Sequence, residues 1–162
     1  MSCLFCRIAA GESPASVVYD DGEYMAFMDL YPIRPGHVLV IPYRHAMHLR
    51  GLAAAEQERL FTVAMSMMTA QRASGVTAEA SNLLVNDGPE AGQHVPHVHI
   101  HLIPRERGDG VGVMGALLSR VVQLVRRRGT RARLDETAAR IRAHLPAAQP
   151  RPPRGAPPTA SF

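Results

Sequence analysis

Lysine does not occur in this sequence; all 18 basic residues are arginine. That absence removes every mechanism that needs a lysine amine, among them the phosphate-gripping lysine of a P-loop, a Schiff base and a lysyl adenylate. Phosphate chemistry here must run on other groups, and the eight histidines are the candidates. Tryptophan is absent as well. Four Tyr and four Phe leave few rings on which bases could stack, which argues against single-strand nucleic-acid binding as the main role. No apolar run approaches the ~20 residues that cross a bilayer. The opening MSCLFCRIAAGESP lacks the charged-then-apolar layout of a signal peptide. A cytoplasmic protein with no membrane partner is expected.

What is present fits one ordinary domain: 162 residues, 46% hydrophobic and 20% charged, enough to bury a sizeable core. The net charge of +4 is unevenly spread, with many arginines between Arg120 and Arg154, a pattern more typical of a solvated face than of a binding groove. Tyr24 to Leu30 and Gly36 to Pro42 read as two strands, the second bracketed by prolines. Ala53 to about Ser74 has helical spacing, with Leu60, Val63, Ala64, Met67 and Met68 on one face. That methionine stripe is core packing rather than a cofactor site. Asn82 to Asn86 and Val95 to Pro104 read as further strands, Val113 to Arg128 and Leu134 to Leu145 as helices. Leu134, Ala138, Ile141 and Leu145 share a face of the last. The order implies an α+β fold over 1–145. Residues 146–162, with six prolines in seventeen positions, read as a disordered tail.

The most informative run is Gln93-His94-Val95-Pro96-His97-Val98-His99-Ile100-His101-Leu102-Ile103-Pro104. Side chains alternate faces along a strand, so His97, His99 and His101 share one side and Val98, Ile100 and Leu102 the other. The imidazoles then sit roughly 6.6 Å apart, a spacing that can engage neighbouring groups of one ligand. Exposed histidines on a half-buried strand, or a metal tract, are the plainer alternatives, but three alternating histidines backed by three aliphatics are hard to attribute to composition. Imidazole titrates near neutrality and is a good nucleophile toward phosphorus. Attack on an α-phosphate would give a phosphoramidate that water later cleaves, splitting one hard step into two. His99, flanked on both sides, is the natural nucleophile, and His101 could hydrogen-bond phosphate or leaving-group oxygens.

The run His97-Val98-His99-Ile100-His101-Leu102-Ile103 resembles the signature of the histidine triad (HIT) family, three histidines each followed by an apolar residue. The likeness continues through Asn86-Asp87-Gly88-Pro89-Glu90-Ala91-Gly92-Gln93, which resembles the phosphate and ribose loop of the fragile histidine triad, or dinucleoside polyphosphate hydrolase, branch, and through Asp29-Leu30 and Pro35-Gly36-His37-Val38-Leu39-Val40. It implies a HIT-like fold, an antiparallel sheet of about five strands with a long helix and a C-terminal helix, paired in a homodimer. It also implies roles: His99 as the nucleophile that becomes nucleotidylated, His101 as the phosphate contact, and His37 as a fourth supporting histidine. Asp29 would hold the ribose hydroxyls, Phe27 and Leu30 would lie near the base, and Asn86 and Gln93 would position sugar and phosphates. His37 as a satisfied core histidine and Asp29 as an ordinary strand-end residue are the bland alternatives. Two departures stand out. His94 occupies a position often held by Ser or Thr, which leaves the leaving-group preference open, although a histidine can act as a general acid there. The tryptophan that shapes some relatives' pockets is missing.

Cys3-Leu4-Phe5-Cys6 contains both cysteines, and in a cytoplasmic protein such a pair points to metal or redox chemistry. A redox role needs a strand-and-helix context that these positions do not supply. Zinc takes four ligands, so two histidines would have to complete the set. His45 and His48 are suggested by their spacing, and two free buried thiols are the alternative. Resemblance to zinc-binding HIT members implies Cys3, Cys6, His45 and His97 instead, making zinc structural and placing His97 in both the triad and the metal set. No organic cofactor is implied. The expected activity is that of a hydrolase or nucleotidyl transferase on phosphoanhydride or phosphoramidate bonds of adenosine-type nucleotides such as diadenosine polyphosphates, releasing AMP. A phosphorylase using phosphate as acceptor and a catalytically silent nucleotide-binding regulator are alternatives; a zinc-binding nucleic-acid module is disfavoured.

Overall fold

The computed structural model describes residues 3–76, 80–110 and 128–145. Its strands are β1 (Val17–Asp20), β2 (Tyr24–Met28), β3 (Val38–Pro42), β4 (Ala80–Val85) and β5 (Ile100–Arg105). They form one antiparallel sheet in the order β1-β2-β3-β5-β4. The hairpin between β1 and β2 is made by aspartates: Asp21 accepts the N–H groups of Glu23 and Tyr24, and Asp20 accepts that of Gly22, which sits at φ 88°. β2 and β3 are buried along their whole length, because both faces of the sheet centre are covered.

Each face has its own core. On one, Ala26, Met28, Val38, Val40, Ile100 and Leu102 meet the long helix α2 (Ala54–Ala73), through Leu60, Val63, Ala64, Met67 and Ala70, and the last helix, α3 (Arg131–Arg142), through Leu134, Ala138 and Ile141. These are the expected helical faces; Met68 packs only at the margin. Glu56 in the first turn of α2 accepts the Ala53 N–H at 2.7 Å, half of a capping box. On the other face, Met25, Phe27, Leu39 and Ile41 are covered by Phe5 of the short helix α1 (Leu4–Ala9). This second, thinner layer borders the site.

Three expectations need correction. The strand expected over Val95 to Pro104 begins only at Ile100 and runs one residue further. Ladder pairing stops at Ile100, which faces Val40 on one side and Val85 on the other; upstream, the Val98 N–H turns away to Ala46 O. Pro96 has no N–H to extend a ladder. Secondly, two regular elements, α1 and β1, precede the first strand expected from the sequence. Thirdly, α3 starts at Arg131 rather than Leu134 and ends at Arg142. The helix expected over Val113 to Arg128 lies outside the described residues except for Arg128, which is not helical, and the tail 146–162 lies outside them entirely.

Candidate active site and metal centre

Because His97 and His99 precede the strand, the three triad histidines do not form one evenly spaced row. His101 stands on β5 over the thinner layer, and the His99 ring lies against it, centroids 4.7 Å apart at 67°. Phe5 meets His99 edge-on at 5.2 Å, so α1 helps hold the ring. The His99 Nδ1–H donates to the His97 carbonyl at 2.7 Å, which leaves the lone pair on Nε2. Burial pushes the His99 pKa down, keeping the ring neutral. A neutral imidazole with one nitrogen occupied and the other unprotonated is the form required of a nucleophile.

Behind His101 lies a second histidine. His37, fully buried on the approach to β3, places Nε2 3.0 Å from His101 Nδ1. The Ile33 N–H donates to His37 Nδ1 at 3.2 Å, and an Asp29 carboxylate oxygen lies 3.2 Å from the same atom. One nitrogen cannot accept from Ile33 and donate to Asp29 together. With Ile33 as donor, His37 Nε2–H donates to His101, whose own proton then sits on Nε2. With the proton on Nδ1, His37 faces Asp29 as donor and accepts from His101. Asp29, His37 and His101 thus form a chain along which a proton can shift.

A cleft of about 650 Å³ opens over this cluster. His99, His101, Phe27, Asp29, Leu30, Asn86 and His94 all border it. Three other expected residues do not. His37 supports from behind. His97 turns its ring away toward the cysteines and contributes its carbonyl. Gln93 acts as a loop staple: its amide donates to Met47 O (2.8 Å) and His97 O (3.3 Å), and its oxygen accepts the Gly88 N–H. It therefore buttresses the carbonyl that orients His99. His94 donates Nδ1–H to Gly92 O at 2.6 Å. Phe5, Ile8 and Arg131 also border the cleft and were not singled out in the sequence. Phe5 and Ile8, three apart on α1, carried a faint helical signal; nothing local marks Arg131.

The fourth feature is a convergence of donors. Cys3, Cys6, His45 and His97 bring their sulfur and nitrogen atoms within 4.8 Å of one another, whereas His48 turns instead to Asp87. Cys3 Sγ to His97 Nδ1, Cys6 Sγ to His45 Nδ1 and Cys6 Sγ to His97 Nδ1 are 3.4 to 3.6 Å, and His45 Nδ1 to His97 Nδ1 is 3.3 Å. A zinc tetrahedron with bonds of about 2.3 Å to sulfur and 2.05 Å to nitrogen has edges of about 3.5 Å and 3.3 Å. The donors match those edges and could hold a metal. His97 Nε2–H donates to Pro42 O at 2.9 Å, which leaves Nδ1 with its lone pair toward the cluster. Burial lowers the His97 pKa to about 4, so the ring is neutral at pH 7.

An antiparallel α+β scaffold thus carries a histidine cluster under a mixed polar and apolar cleft. Residues 10–108 match the HIT domain, and the chain belongs to the HIT family. It is 38% identical over 120 residues to an uncharacterised HIT-like protein of Mycobacterium tuberculosis, covering 74% of this chain and 83% of that one. It is also 46% identical over 95 residues to the asymmetrical bis(5'-nucleosyl)-tetraphosphatase of Schizosaccharomyces pombe, covering 59% of this chain and 52% of that protein. A zinc-bound histidine triad family protein from Mycobacterium smegmatis has a similar structure: TM-score 0.74, 34% identity, with 90% of this chain and 94% of that one covered. No described helix is long and apolar enough to cross a membrane.

Proposed function

We propose that this protein is a hydrolase or nucleotidyl transferase that cleaves the α-phosphate bond of adenosine-type nucleotides, such as diadenosine polyphosphates or adenosine phosphoramidates, through a nucleotidyl-His99 intermediate. The observation that carries the reading is the fixed tautomer of His99, with Nδ1–H on the His97 carbonyl and Nε2 unprotonated in a ring bordering the cleft. The tetraphosphatase relative supports the substrate class.

The Nε2 lone pair attacks the α-phosphorus. The bond from phosphorus to the bridging oxygen or amide nitrogen breaks, its electron pair departs with the leaving group, and that group takes a proton. His101, with its proton on Nε2, donates to phosphate oxygen while the His37 Nε2–H donates to its other nitrogen. Asp29 accepts from the ribose hydroxyls, Asn86 positions sugar and phosphate, and Phe27 and Leu30 flank the base. His94, exposed at the cleft edge with Nδ1–H on Gly92 O, gives the leaving group a proton from Nε2 when it enters the step as imidazolium. Water then attacks phosphorus and yields a proton to the now unprotonated His94 Nε2, the P–N bond breaks and its electron pair returns to His99 Nε2, releasing AMP.

Zinc is the metal that the two-cysteine, two-histidine donor set fits, and bound there it would tie α1 to the segment carrying His99. A reducing cytoplasm would keep both thiols available for it. A homodimer through the β4 edge and α2, where Phe61 and Met65 are exposed one turn apart, belongs to the same reading; light scattering checks it. The decisive experiment incubates wild type and His99→Ala with diadenosine tetraphosphate and with an adenosine phosphoramidate, and follows AMP by chromatography. AMP release that depends on His99 is expected. Release unchanged in His99→Ala refutes the nucleophile.

A further inference from the structure

The first residue of α3 borders the cleft. The Gly129 N–H donates to Leu30 O at 2.8 Å, tying this part of the chain to the wall of the cleft. Two residues on, Arg131 borders the cleft, half-buried. Its guanidinium is pinned there: Nη1–H donates to Ser16 Oγ at 3.0 Å and Nη2–H to Pro14 O at 3.2 Å. Ser16 is held in turn by donating to Asp135 at 2.6 Å. Among the described residues Arg131 forms no ion pair with a carboxylate. A guanidinium has five donors, so three are unused among the described residues. A half-buried cation with donors to spare at the cleft wall suits a ligand that supplies paired acceptors.

The order of the sheet says which part of a ligand reaches it. His101 stands on β5, Phe27 on β2, and Ser16 just before β1, so the histidines and Arg131 lie about three strand spacings apart, roughly 14 Å. The intervening surface is Phe5, Ile8 and Phe27, which are apolar and two of them flat. That surface suits a base and offers nothing to a chain of phosphates. With the α-phosphate at His99, the outer edge of the base therefore faces Arg131.

We propose that Arg131 selects the base of the bound nucleotide and favours guanine. Arginine's fork matches the paired acceptors O6 and N7 of guanine, whereas adenine presents one acceptor, N7, beside an amino donor. The inference rests on the proposed α-phosphate site at His99 and widens the substrate class of that site to guanine nucleotides.

Calorimetric titration of the intact protein with GMP and with AMP tests it, comparing wild type, Arg131→Met and Arg131→Lys at one salt concentration, with thermal unfolding to show that each variant is folded. Wild type is expected to bind GMP about tenfold more tightly than AMP, the discrimination typical of a good bidentate contact. Arg131→Met brings the ratio near one while AMP affinity is kept, and Arg131→Lys does the same because an ammonium lacks the planar fork. Equal weakening of both nucleotides in Arg131→Met would mean a contact to anion rather than base, and overturns the proposal. So does a wild-type ratio near one; if AMP release still depends on His99, only this inference falls. No binding of either nucleotide overturns both readings.

Discussion

Removing metal from the four-donor cluster should loosen the N-terminal layer and the nucleophile together. Apart from Cys3 and Cys6, α1 is held to the sheet chiefly by Phe5 against Met25, Phe27, Leu39 and Ile41, a much smaller contact than the core under α2. A metal at the cluster cross-links α1 to His45 and His97 across more than ninety residues of chain. At free zinc a thousandfold above its dissociation constant, mass action adds about 4 kcal/mol to the folded state. For a chain of this size that corresponds to a Tm difference on the order of 10 °C between loaded and chelated protein. Metal analysis should find one zinc per chain, and Cys3→Ser/Cys6→Ser should lose both the metal and the Tm increment. Because the His97 carbonyl holds His99 Nδ1–H, AMP release should fall in the same samples, through kcat more than KM. Stoichiometry near zero after expression in zinc-supplemented medium would refute the reasoning. Equal melting of loaded and chelated protein would do so as well.

Replacing His37 by Leu removes an imidazole that is fully buried and leaves the Ile33 N–H and His101 Nδ1 without these bonds. Stability should drop by about 1 to 3 kcal/mol in urea titrations, and turnover by roughly a hundredfold, since His101 loses its proton partner; unchanged turnover would remove His37 from the mechanism. Glu56 is held down to about 2, first by Arg44 and then by the Ala53 N–H at the start of α2. A carboxylate whose folded pKa is depressed stabilises the fold above its unfolded value near 4.3. That contribution is lost as pH falls through the folded value near 2, so wild type should exceed Glu56→Gln in stability at pH 6 and converge with it only at about pH 2 and below. Solvent screening of this surface pair limits the gap to about 1 kcal/mol, and a gap that persists at low pH would contradict the assignment.

The long helix was legible because twenty residues repeat the 3.6 period against one core, and β2 and β3 because they are short apolar runs between turn residues. α1 and β1 were harder: six and four residues carry too few periods to stand out, and both are held by contacts distant in sequence. The start of β5 could not be read from alternation alone, since it depends on where Val40 and Val85 cease to pair.

The chemistry was mostly written in the residues themselves. Without lysine any phosphate chemistry falls to other groups, and the close spacing of His97, His99 and His101 keeps them near one another whatever the fold does elsewhere. Which histidine does what was decided only by tertiary structure. His97 turns to the cysteines because Pro42 O takes its Nε2–H; His99 keeps a reactive Nε2 because a backbone carbonyl takes Nδ1–H; Gln93 supports that carbonyl instead of meeting the cleft. Arg131 borders the cleft because α3 packs along β1 and delivers its first residue to Ser16 and Pro14, 115 and 117 positions away. Local pattern determines which side chains are available, and hydrogen bonds between distant segments determine which nitrogen, and which arginine, faces the ligand.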